Sequence, residues 1–135
     1  MRLLGLDYGR KRIGLAISDP LGLSAQPLGF ILNDSKILDR LLEVIRTREV
    51  SEIVLGHPRS LSGKLGEMAR EVEAFAEKLK ERTTIPLHLW DERFSTSEAE
   101  NLLVSADVRR DKRKEVRDTV AASLILQGFM ESRRG

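Results

Sequence analysis

The stretch Leu3-Leu4-Gly5-Leu6-Asp7-Tyr8-Gly9-Arg10-Lys11-Arg12-Ile13-Gly14-Leu15-Ala16-Ile17 decides the fold. Two apolar runs flank a Gly-containing turn, which reads as an antiparallel hairpin with strands at 2–8 and 12–18. The first run ends on Asp7. An ionised carboxylate at the end of a buried strand is costly without a partner. A bound hard cation is one such partner, because such ions prefer carboxylate oxygens. Glycines at 5, 9 and 14 leave room for another backbone or a phosphate to come close. The plainer alternative is a hairpin whose Asp7 simply caps the turn.

Moving outward, Ser18-Asp19-Pro20-Leu21-Gly22 is a turn cluster. Residues 26–32 form a third strand, with Pro27 at its start, where a missing N–H is tolerated. The period then changes. Between Ser35 and Glu49, Ile37, Leu38, Leu41, Leu42, Val44 and Ile45 recur at helical spacing. Residues 52–56 are a short apolar strand, expected to be buried on both faces. Leu65, Met68, Val72, Phe75, Ala76 and Leu79 mark a helix over about 64–82, and residues 85–92 a fifth strand ending in Asp91 and Glu92. Ser95-Thr96-Ser97-Glu98 fits a capping box, so a helix should begin there. Residues 105–115 lack an apolar stripe and read as a solvated loop. A final helix is expected over about 116–132. This order predicts an α/β fold: a mixed five-stranded sheet, three antiparallel strands then two parallel, flanked by helices. No linker separates residues 1–135 into two domains. Ligands of such sheets sit at the carboxyl ends of the strands, where Asp7, Asp91 and Glu92 fall.

The 135 residues suit one domain with a real core. The net charge of +2 is too small to imply a polyanionic partner by itself, so charge placement must carry that argument. The absence of cysteine excludes disulfides, thiolate zinc sites and a cysteine nucleophile. No apolar stretch is long enough to cross a bilayer and the start lacks a signal-peptide pattern, so the expected location is the cytoplasm, with no membrane contact.

Asp118 is the third acid of interest. It shares a helix face with Ala121, Ala122 and Ile125, and the alanines would let that helix approach the sheet closely. Its alternative role is to favour the positive end of the helix dipole. Asp7, Asp91, Glu92 and Asp118 together suggest a carboxylate cluster around Mg²⁺ or Mn²⁺, and two such ions can clamp a phosphodiester. Strand alternation puts Asp91 with Leu87 and Leu89, and Glu92 with His88 and Trp90, which leaves open which acid faces the site. His57 and His88 are isolated and read as packing or loop residues. Basic residues surround the acids. Arg59 and Lys64 lie in the loop after the fourth strand, before a helix start that could hold phosphate. Arg93 follows Glu92, and Arg10 and Lys11 follow Asp7. Residues 108–117 hold six cations, Arg109, Arg110, Lys112, Arg113, Lys114 and Arg117, against two acids. Such a run is ordinarily a solvated face. Beside a metal site it would attract a nucleic-acid backbone. Aromatic residues are only 4% of the chain, which argues against a stacking platform for single strands.

Three segments carry a resemblance. Residues 5–19, opening Gly5-Leu6-Asp7-Tyr8-Gly9, Asp91-Glu92-Arg93-Phe94-Ser95-Thr96 and residues 118–127, opening Asp118-Thr119-Val120-Ala121-Ala122, resemble the motifs of the bacterial YqgF/RuvX family of pre-16S rRNA nucleases, also called Holliday junction resolvase-like proteins. The resemblance implies a ribonuclease H-like fold, a metal-dependent nuclease site and a role in maturing the 5′ end of 16S ribosomal RNA. It implies Asp7, Glu92 and Asp118 as catalytic acids, with Asp91 in reserve. One departure is His57, where the family often has an apolar residue. The leading expectation is therefore a nuclease of structured RNA, as a monomer or homodimer. A resolvase of branched DNA is its close relative. A non-catalytic RNA-binding assembly factor is disfavoured by the acids, and a phosphotransferase-like domain by the short chain.

Overall fold

The computed structural model describes residues 2–58, 66–91 and 110–134, with the side chains of the last helix described over 120–133. Five strands, β1 (Arg2–Asp7), β2 (Arg12–Ser18), β3 (Ala25–Leu32), β4 (Val50–His57) and β5 (Leu87–Asp91), form one sheet in the order β3-β2-β1-β4-β5. β1 pairs antiparallel with β2 and parallel with β4. β2 pairs antiparallel with β3, and β4 parallel with β5. The expected mixed sheet is thus present. Helices α1 (Ile37–Thr47), α2 (Glu67–Arg82) and α3 (Arg110–Arg134) cover it. The expected helix from Ser95 lies outside the described residues. Among the described residues no helix is long and apolar enough to cross a membrane.

Strand alternation separates two packed layers. Leu4, Leu6, Ile13, Leu15, Ile53 and Leu55 face α1 and α2, where they meet Leu41, Val72, Phe75 and Leu79. Leu3, Ala16 and Val54 face α3 and pack on Ala122, Ile125, Leu126 and Met130. β3 is an edge strand. Its register shifts between Leu15 and Ala16, and Gly29 takes φ 104° beside that irregularity. Such a bulge, with Pro27 in the same strand, keeps a foreign strand from pairing there.

One expectation is corrected. The lack of an apolar stripe predicts a loop over 110–115, yet α3 begins at Arg110. Lys, Arg and Glu are good helix formers, and this segment extends a helix already nucleated by its packed half. Arg133, near its carboxyl end, lies by Glu52 at the amino end of β4. Residues 118–134 already match the length of the strands. Residues 110–117 therefore run about 12 Å further, past the carboxyl edge of the sheet.

Candidate active site

Asp7 ends β1 in the middle of the sheet and is half-buried. Its backbone pairs with Gly14 on one side. On the other side Leu6 pairs with Leu55, so Asp7 falls beside Gly56. His57 in turn pairs with Asp91. The carboxyl ends of β1, β4 and β5 therefore share one edge, with Asp7 and Asp91 on either side of β4.

Which face each acid takes follows from its neighbours. Leu3 packs under α3. A Cβ added at Gly5 would lie 2.8 Å from Leu126 Cβ and 3.0 Å from the Ala122 carbonyl oxygen. Positions 3, 5 and 7 alternate onto that same face, so Asp7 lies on the α3 side. Tyr8, on the opposite phase, meets Phe75 of α2. On β5, His88 and Trp90 contact Phe129 of α3, with ring centroids 4.9 and 6.0 Å apart. Asp91 belongs to the other phase, with Leu87, which packs towards α1 and α2. The register therefore separates Asp91 from Asp7. The next residue, Glu92, lies outside the described residues.

Helix α3 brings the remaining position to this edge. From Ala122, beside Gly5, four residues back to 118 advance about 6 Å along the helix. From Gly5 to Asp7 the strand advances about 6.7 Å. The backbone at 118 thus comes level with Asp7, although the Asp118 side chain lies outside the described ones. Close approach depends on small residues. Gly5, Ala16 and Ala122 line this contact, and Gly128 lets the Trp90 indole come within 3.2 Å of where a Cβ would stand. The sequence signal for that second contact is a glycine inside an apolar helical stripe, and sequence reasoning missed it.

His57 is buried on the α2 side, its Nε2 3.6 Å from Glu73 Oε2. It packs, as the sequence implied, away from the face of Asp7. Among the described residues no three His, Asp or Glu side chains gather as a metal site. Of the expected phosphate contacts, Arg10 reaches α2, with Nε 2.8 Å from Glu71 Oε2 and a second acid, Glu67, at 3.7 Å. The Glu71 carboxylate raises its pKa above the usual arginine value. Lys11 is exposed beside it. Arg110, Lys112, Arg113 and Lys114 lie on the overhanging turns of α3. Arg59, Lys64, Arg93 and Arg109 lie outside the described residues.

A family profile described as "RuvX: Holliday junction resolvase" matches residues 1–132. A protein of Desulforamulus reducens named "Putative pre-16S rRNA nuclease" is 47% identical over 134 residues, 98% of each chain. One of Geobacillus kaustophilus with the same name is 47% identical over 138 residues, covering 99% of this chain and all of that one. Among solved structures, RuvC of T. thermophilus in complex with a Holliday junction substrate aligns over 100% of this chain and 96% of its own, with a TM-score of 0.59 at 17% identity. That likeness concerns the fold, which is ribonuclease H-like.

Proposed function

This chain belongs to the RuvX family, and from that membership we propose that it is a metal-dependent nuclease acting on structured RNA, at the 5′ end of precursor 16S ribosomal RNA. It is a hydrolase of phosphodiester bonds. The observation that carries the reading is the close β1–α3 contact, which only small side chains permit and from which the backbone of residue 118 comes level with Asp7 at one carboxyl edge.

The donor chemistry at that edge fits a hard divalent cation. It is carboxylate, free of sulfur, and its nearest imidazole, His57, is buried on the far face. Asp7, Glu92 and Asp118 would hold Mg²⁺ or Mn²⁺, with Asp91 set apart by strand phase. When bound, such ions activate water and stabilise the leaving oxygen. The chain itself supplies position. β1 fixes Asp7 within the sheet, and α3 carries residue 118 as a rigid rod anchored at its far end. The cationic turns at 110–117 stand where a polyanionic backbone would approach.

Asp7→Asn tests this directly. Losing even a supporting partner of a metal ligand costs about 10–100-fold, so removal of a ligand should lower Mg²⁺-dependent cleavage of precursor rRNA by at least about a hundredfold. The melting temperature should stay close to wild type. Unchanged cleavage by the Asp7→Asn protein would refute the assignment.

A second reading, cutting of four-way DNA junctions, is favoured by the family description and the RuvC-like fold. A resolvase places two equivalent sites on a symmetric dimer. Paired symmetric nicks on a junction, together with a dimer mass in solution, would select it over the RNA reading.

A further inference from the structure

Across the sheet from Asp7, a cleft of about 410 Å³ opens between the amino end of α1 and the side of α2. Its size falls in the range of ligand sites, about 300–1,000 Å³. Tyr8, the residue after Asp7, forms one wall with Phe75, their ring centroids 5.1 Å apart. Ala74 of α2, which is exposed, forms part of the lining. The rim carries Asn33, Asp34, Glu71 and Lys78. Asn33 Nδ2 donates to the Gly9 carbonyl at 2.7 Å, so the rim is tied to the turn that leaves the catalytic strand.

The charges select the occupant. Asp34 is paired with Arg40 at 2.6 Å and Glu71 with Arg10 at 2.8 Å. A phosphate entering here would meet two carboxylates whose cations are already engaged. A neutral aromatic ring would meet Tyr8 and Phe75, and its amino hydrogens would find the remaining carboxylate lone pairs. Lys78 has no ion pair among the described residues and stands at the mouth, where a sugar–phosphate backbone would pass.

We infer that this cleft is a subsite for one unpaired nucleobase bearing an exocyclic amino group, taken from the strand whose phosphate lies at Asp7. The inference rests on the nuclease reading above. The base must be unpaired, because a ring can enter such a cleft only after leaving its stack. The cleft would then fix where along a structured RNA the cut falls.

The test uses the full chain with Ca²⁺ in place of Mg²⁺ and two RNA hairpins, one fully paired and one with a single bulged 2-aminopurine. Wild-type protein should bind the bulged hairpin more tightly and change the 2-aminopurine fluorescence. Ala74→Leu adds bulk to the cleft from an exposed helix position. It should weaken bulged-hairpin binding about tenfold, the scale of one base–aromatic contact, and suppress the fluorescence change. Affinity for the paired hairpin and the melting temperature should hold. Equal affinities and equal fluorescence for wild type and Ala74→Leu would overturn the subsite while leaving the nuclease reading standing. Failure of wild type to bind either RNA would overturn both.

Discussion

The two faces of the sheet are packed by different rules. The α1–α2 face is filled with large aliphatic groups, Leu4, Leu6, Leu41, Ile53, Leu55 and Leu79, all fully buried. The α3 face is lined at its centre by Gly5, Ala16 and Ala122, and there the helix rests almost on the strand backbone. The first face buries more apolar volume and so contributes more to stability. The second sacrifices volume for proximity. A thick layer of leucines would hold the helix several ångströms further out, and position 118 with it. The contrast separates residues that hold the chain folded from residues that set the distance between strand and helix at the candidate site.

Leu41→Ala probes the thick face. Leu41 is fully buried, and the loss should cost about 2–5 kcal/mol, read as a shift in the urea midpoint. Cleavage per folded molecule should be unaffected. Gly5→Ala probes the thin face. Its Cβ would press on the Leu126 Cβ and the Ala122 carbonyl, neither of which is the end of a flexible side chain. Overpacking of this kind costs about 1–3 kcal/mol. Here cleavage should fall further than stability does, because α3 must move away from β1. Equal losses of activity per folded molecule in the two variants would erase the distinction between the faces.

Much of this was legible before any coordinates. The change from alternating to helical period after Leu32 fixed three antiparallel strands followed by two crossovers. Gly5 of β1 and the alanines after Asp118 signalled a close strand–helix contact. The start of α3 was hidden, because residues 110–115 carry no apolar stripe to read. The face that Asp91 takes needed a reference, and the contacts of His88 and Trp90 with Phe129 supplied it. The cleft beside Tyr8 joins positions 8, 33–34 and 71–78, and no local spacing links them. The clamp on the far end of α3 was equally invisible, since Glu52, His88 and Arg133 meet only after folding.

That clamp supplies the smallest expected effect. Arg133 donates to both oxygens of Glu52 at 2.8 Å, and His88 Nε2 lies 3.0 Å from Oε1. The Arg133 guanidinium also sits 4.7 Å over the Phe129 ring. These bonds, those of Arg133 first, hold the Glu52 carboxyl down at about 2 against an ordinary 4.5. A lowered folded-state value means that the stabilisation is complete above pH 4.5 and is lost as pH falls from there towards 2. Glu52 and Arg133 both touch solvent, so the screened contribution is about 1–2 kcal/mol. Glu52→Gln should therefore melt lower than wild type at pH 7, and the two should converge as the pH approaches 2. Because the clamp holds the end of α3 furthest from Asp7, cleavage per folded molecule at pH 7 should change less than in Gly5→Ala. A loss as large as that of Gly5→Ala would mean that α3 is positioned from its carboxyl end, and that the small residues against β1 matter only for packing.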